Sequence, residues 1–118
     1  MTDSITVYEK PTCTKCREVD KLIRESGIDY RKVNYYIEPL SAEKLTGLIK
    51  KMGIQAKELL RTSEPVYKEL KLSGQNLTEK AIIDLMVQHP DLIQRPIVER
   101  GSKAVLGRPV ENIKPLLK

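Results

Sequence analysis

The run Ser4-Ile-Thr-Val-Tyr8 alternates polar with β-branched or aromatic residues, the period of a half-buried strand, and it meets a breaker at Lys10-Pro11. From Cys13 onward the period changes. Cys16, Val19, Leu22 and Ile23 recur at helical spacing until Ser26-Gly27 supplies a stop signal. A second strand is predicted near Tyr30 to Tyr36. This strand, helix, strand order is the strongest constraint in the chain, because an intervening helix makes the two strands lie parallel in one sheet.

The middle of the chain reads as helix. Ser41 is a predicted N-cap for a helix with Leu45, Leu48, Ile49 and Met52 on one face, ending at Gly53. Glu58-Leu-Leu-Arg61 predicts a short helix and Glu64-Pro65 through Leu70 another. Thr78 caps a fourth that runs through Ile82, Ile83, Leu85 and Met86 to about Gln88. The chain then turns extended: Pro96-Ile-Val-Glu-Arg100, the turn Gly101-Ser102, and Lys103-Ala-Val-Leu106 predict a hairpin. A last helix is expected near Glu111 to Leu117. The order implies an α/β protein with a helical insertion, without repeats or low-complexity segments.

With 118 residues, 40% hydrophobic and 31% charged, one domain over 1–118 is expected, its core at about 1–40 and 90–118 and its helical insertion at about 41–89. No run approaches the roughly 18 apolar residues of a membrane span, and the start lacks a cationic region followed by an apolar one. A soluble cytoplasmic protein with no membrane partner is the expectation. The net charge of +5 arises from 21 basic residues interspersed with 16 acidic ones, which speaks to solubility and non-specific binding more than to a partner. No helix-turn-helix with a basic reading face is apparent, so direct nucleic-acid binding is not expected.

The two cysteines, Cys13 and Cys16, form a C-x-x-C unit between the predicted strand and the first turn of the predicted helix. A disulfide between them would close a tiny loop, so their value is local chemistry rather than stapling. Unpaired amides and the positive end of the helix dipole stabilise a thiolate there, and Lys15 and Arg17 add positive potential if they fold toward it; a lowered pKa for Cys13 is predicted. A structural zinc site normally needs four ligands, and the chain offers two cysteines and the distant His89, so no metal is expected. His89, followed by Pro90, reads as a helix-end residue.

These residues resemble the glutaredoxin-coupled arsenate reductase family, a thioredoxin-fold group that also contains the Spx-type transcriptional regulators. The resemblance runs through Val7-Tyr-Glu-Lys-Pro-Thr-Cys13, Met52-Gly53-Ile54, Glu58-Leu-Leu-Arg61, Glu69-Leu70, His89-Pro90, Gln94-Arg-Pro-Ile-Val98 and Gly107-Arg-Pro109, in the family's order and approximate spacing. It implies a thioredoxin-like α/β fold with a mixed sheet and the helical block as an insertion. It also implies that Cys13 is the catalytic nucleophile and that Arg61, Arg95 and Arg108 surround the oxyanion and its arsenic adduct. Guanidinium groups with paired N–H donors, together with a helix N-terminus, suit a tetrahedral anion. By the same resemblance Arg95-Pro96 is expected to be cis, against roughly 5% for X-Pro bonds in general.

Two positions depart from the family's pattern. Its well-studied reductases carry a histidine four residues before the nucleophile, where this chain has Glu9, which lends no positive charge and would disfavour a nearby thiolate if ionised. Those enzymes commonly have a non-cysteine residue three after the nucleophile, where Cys16 supplies a resolving thiol, as in Spx-type proteins. The function implied is reduction of arsenate, or a similar oxyanion, to arsenite without a bound cofactor. Electrons would come from glutathione and glutaredoxin or, through a Cys13–Cys16 disulfide, from an external dithiol such as thioredoxin. The alternatives are an Spx-like redox-sensing regulator that binds RNA polymerase, against which the three arginines argue, and a general disulfide reductase.

Overall fold

The computed structural model describes residues 4–10, 14–72 and 74–117. The chain divides into two compact units, one from Met1–Glu38 with Arg95–Lys118 and the other Pro39–Gln94.

In the first unit β1 (Ile5–Glu9) leads into α1 (Thr14–Ser26) and then β2 (Tyr30–Asn34). The two strands pair in parallel, Ile5 opposite Tyr30 and Glu9 opposite Asn34, as the crossover requires. The hairpin forms from β3 (Ile97–Arg100) and β4 (Lys103–Leu106), with Gly101 at φ +60° in its turn, a conformation glycine adopts without a Cβ penalty. β3 pairs antiparallel with β1, so the sheet is mixed in the order β2-β1-β3-β4. Ile5 and Val7 of β1, Val98 of β3, Val19 and Ile23 of α1, and Ile113 and Leu116 near the C-terminus make one buried apolar cluster. Burying each such side chain is worth about 1.5–3 kcal/mol. This cluster holds α1 against one face of the sheet.

Two elements differ from their predicted form. β2 stops at Asn34 rather than Tyr36, because the Asn34 carbonyl accepts from the N–H groups of Ile37 and Glu38, and its Oδ1 from Tyr36 N–H, which turns the chain. The C-terminal helix, Val110–Leu117, is 3-10 rather than α, with Pro115, which has no N–H to donate, inside it.

The second unit holds α2 (Ala42–Met52), α3 (Ala56–Leu59), α4 (Pro65–Glu69) and α5 (Glu79–Gln88), followed by a 3-10 turn, Pro90–Leu92. The Ser41 side chain accepts from Lys44 N–H and that of Thr78 from Ala81 N–H, so both predicted caps are present. Buried Leu45, Leu48, Ile49, Leu59, Ile82, Ile83 and Met86 supply the apolar faces of α2, α3 and α5. Residues 90–94, grouped with the core from sequence, are instead hydrogen-bonded into this unit: Arg61 N–H donates to Leu92 O at 2.7 Å and Gln94 N–H to Leu59 O at 2.9 Å, flanking an antiparallel bridge between Leu60 and Ile93. Among the described residues, no helix is long and apolar enough to cross a membrane.

Candidate active site

The sequence predicts thiol chemistry between the end of β1 and the first turn of α1, in the first unit. Cys13 lies outside the described residues. Cys16 is in the first turn of α1 and only 1% exposed, on the same helical face as Val19 and Ile23. Arg17, expected to add positive potential, is exposed.

Glu9 shares its strand face with Ile5 and Val7 and is buried, and its Oε1 has no hydrogen-bond partner among the described residues. Burial pushes its carboxyl pKa up; Lys32 opposes that shift and Asp20 adds to it. Asp20, one turn after Cys16 on α1, receives the Tyr30 hydroxyl and lies 3.1 Å from Arg24 Nη2 and 3.6 Å from Lys32 Nζ. Burial disfavours its charge, but the Tyr30 hydroxyl, Lys32 and Arg24 together outweigh that and hold its pKa below the ordinary carboxylate range. Tyr30 is shifted the other way, its pKa raised by burial and by donation to Asp20.

A second cluster forms where β3 begins and β4 ends. Arg108 Nε donates to Arg95 O at 2.5 Å, so two of the three candidate arginines are brought together. Arg95-Pro96 is cis, as expected, and so is Arg108-Pro109. Gly107 N–H donates to Pro96 O at 2.8 Å, and a Cβ at Gly107 would sit 2.9 Å from Val19 Cγ2 and 3.0 Å from Pro96 Cγ. Only glycine allows the segments to approach that closely. Asn112 Nδ2 then donates to the carbonyls of Leu106 and Arg108 at 3.1 and 3.0 Å, tying down the exit of the loop.

Arg61 belongs to the second unit. It lies beyond the end of α3, which stops at Leu59 rather than continuing to Arg61 as predicted, because Leu60 joins the bridge with Ile93. Its Nε is 3.0 Å from Glu64 Oε1, an ion pair by distance whose angle does not make a hydrogen bond. Its Nη1 is buried and has no hydrogen-bond partner among the described residues, a donor suited to an anionic ligand. The same unit has a cleft of about 620 Å³ lined by α2 and α5 residues including Thr46, Gly47 and Ile83, and no candidate residue lines it. Among the described residues, no group of three or more histidine, cysteine, aspartate or glutamate side chains is arranged to hold a metal.

The Asp20, Tyr30 and Lys32 group was not singled out from sequence. Its signal was there: Lys32 falls on the same strand parity as Tyr30 and Asn34, opposite Val7, and Asp20 stands four residues after Cys16.

The sequence pattern of the ArsC family matches residues 8–116. The chain belongs to the ArsC family. It is 41% identical over 114 residues to the uncharacterized protein YfgD of Escherichia coli strain K12, covering 96% of each chain. It is 36% identical to an arsenate reductase of Neisseria meningitidis, covering 96% of this chain and 97% of that one. An arsenate reductase from Vibrio cholerae superposes with a TM-score of 0.89 at 34% identity, over 96% of this chain and 97% of the other. The mixed sheet with its helices is thus the thioredoxin-like α/β fold of this ArsC group.

Proposed function

We propose that this ArsC-family protein reduces arsenate to arsenite, with Cys13 as nucleophile, Arg61, Arg95 and Arg108 as oxyanion ligands and Cys16 as resolving thiol. The observation that carries the reading is the bond from Arg108 Nε to Arg95 O, which groups two guanidinium-bearing residues in a chain whose relatives include arsenate reductases. Guanidinium groups held in place before the reaction stabilise charge without reorganising as it develops.

In the proposed sequence the Cys13 thiolate attacks arsenic, one arsenate oxygen leaves as water, and a covalent sulfur–arsenic bond forms. The Cys16 thiolate then attacks the Cys13 sulfur. The sulfur–arsenic bond breaks with its electron pair going to arsenic, which leaves as arsenite, and a Cys13–Cys16 disulfide remains. Two electrons pass from the two thiols to arsenic. An external dithiol such as thioredoxin restores the pair; in the other route glutathione attacks the adduct and glutaredoxin completes the cycle.

The test is arsenite production by purified protein, supplied either with glutathione and glutaredoxin or with thioredoxin and its reductase. Turnover lost in Cys13→Ser is the expected result, and the donor that supports turnover, compared in Cys16→Ser, reports the route. No turnover with either system from folded, reduced protein overturns the proposal and favours a redox-sensing regulator of the Spx type.

A further inference from the structure

We propose that Glu64 is a positioning residue for Arg61, holding its guanidinium in place for an oxyanion through an ion pair formed across the turn that precedes α4. The inference rests on the assignment of Arg61 as an oxyanion ligand made above, and it is independent of which thiol resolves the adduct.

The local sequence, Arg61-Thr-Ser-Glu-Pro65, sets the geometry. A residue before proline is pushed out of the helical region, and Glu64 is extended at φ −74° and ψ 144°, the conformation of an N-cap, with Pro65 in the first turn of α4. Glutamate is not among the residues preferred at that position, and the Glu64 side chain makes no cap hydrogen bond. Its Oε1 lies instead 3.0 Å from Arg61 Nε, three residues back. The backbone is fixed at both ends of the pair. Arg61 N–H donates to Leu92 O at 2.7 Å, Glu64 N–H to Arg61 O at 3.5 Å, and Tyr67 N–H to Glu64 O at 3.0 Å. A carboxylate standing at a helix start is thus directed to the arginine.

Both side chains are largely withdrawn from solvent, Arg61 22% and Glu64 17% exposed, so the pair is screened less than one on the open surface. An arginine has many rotamers, and ordering it costs free energy that is otherwise subtracted from the affinity for an anion. Glu64 takes the guanidinium at Nε. Nη1, on the other side of the group, is buried with no hydrogen-bond partner among the described residues. An anion that reaches Nη1 meets a donor whose orientation is already set. The carboxylate also carries a negative charge that opposes the ligand's, so orientation and repulsion act with opposite signs and one measurement separates them.

The test is arsenate binding to Cys13→Ser protein, which removes the nucleophile and keeps the arginines, followed by NMR titration at fixed ionic strength so that weak binding is read as well. Arg61→Ala, Glu64→Gln and the double variant are made in that background, each checked for folding by circular dichroism and thermal unfolding. Glu64→Gln, which keeps the size and loses the charge, should weaken binding by roughly fivefold, and most of that loss should vanish when Arg61 is already alanine. Tighter binding in Glu64→Gln overturns the proposal, the result expected if the carboxylate merely competes with the ligand for Arg61. A lowered melting temperature with unchanged binding overturns it as well, since it assigns the pair to stability alone. So does an equal loss in both backgrounds, an effect that does not pass through Arg61. Binding that depends on Arg61 and not on Glu64 rejects this inference and keeps the oxyanion site. Arsenate binding that Arg61→Ala leaves unchanged rejects the role of Arg61 itself, and this inference with it.

Discussion

Arg108 Nε donates to the backbone carbonyl of Arg95 across 2.5 Å, which commits one guanidinium nitrogen to structure. Arg108→Lys keeps a positive charge but has no donor at that point of the side chain. It should lower kcat/KM for arsenate by about 10²-fold or more, the usual cost of losing a preorganised donor, while costing only about 1 kcal/mol in urea unfolding. Steady-state arsenite production and a urea midpoint, measured on the same sample, separate the two effects.

Gly107→Ala should destabilise the protein by about 1–3 kcal/mol, because the new methyl would meet Val19 and Pro96 at contact distances that buried side chains do not tolerate. Val19 is stiff at χ1 and fully buried, so it has little room to withdraw. Combining Gly107→Ala with Val19→Ala should cost less than the sum of the two single changes, as denaturant titrations of the four proteins would measure.

Asp20→Asn should destabilise by about 1.5–3 kcal/mol at neutral pH through weakened hydrogen bonding and ion pairing with Tyr30, Arg24 and Lys32. Its folded-state pKa is lowered, so this contribution is fully present above the unfolded carboxyl pKa and is lost as pH falls through the folded one. Unfolding free energies of wild type and variant should therefore converge in acid.

Glu9→Gln should behave oppositely. Because the folded-state pKa is raised, the favourable contribution of the protonated carboxyl is present below the unfolded pKa and is lost as pH rises through the folded value. The glutamine variant should match wild type in acid and exceed it in stability once pH has passed that range. Thermal unfolding across pH would show the gap opening toward alkali.

The parts of this fold legible in the sequence are those fixed by local signals. Alternation marks β1, helical spacing marks α1, and Ser41 and Thr78 announce α2 and α5 by hydrogen bonds that reach only three residues. Arg61 was misplaced into a helix because what ends α3 is a pairing with Ile93, thirty-odd residues away in sequence and invisible to any short window. The three arginines were legible only through their coincidence with a family pattern, since nothing local distinguishes Arg108 from a solvated turn residue. The strand parity that Tyr30 and Lys32 share is readable from spacing, but the convergence of Asp20 on them depends on strand register and helix packing, which spacing does not determine.

The contact at Gly107 also has a mechanical meaning. Val19, the residue on which that glycine closes, belongs to the same helix as Cys16 and stands three positions after it. The loop that presents Arg108 is therefore seated on the thiol-bearing helix through Val19, as well as on Pro96 and Arg95 of the neighbouring segment. Any rearrangement of Val19 would therefore be met directly by the backbone that leads into Arg108.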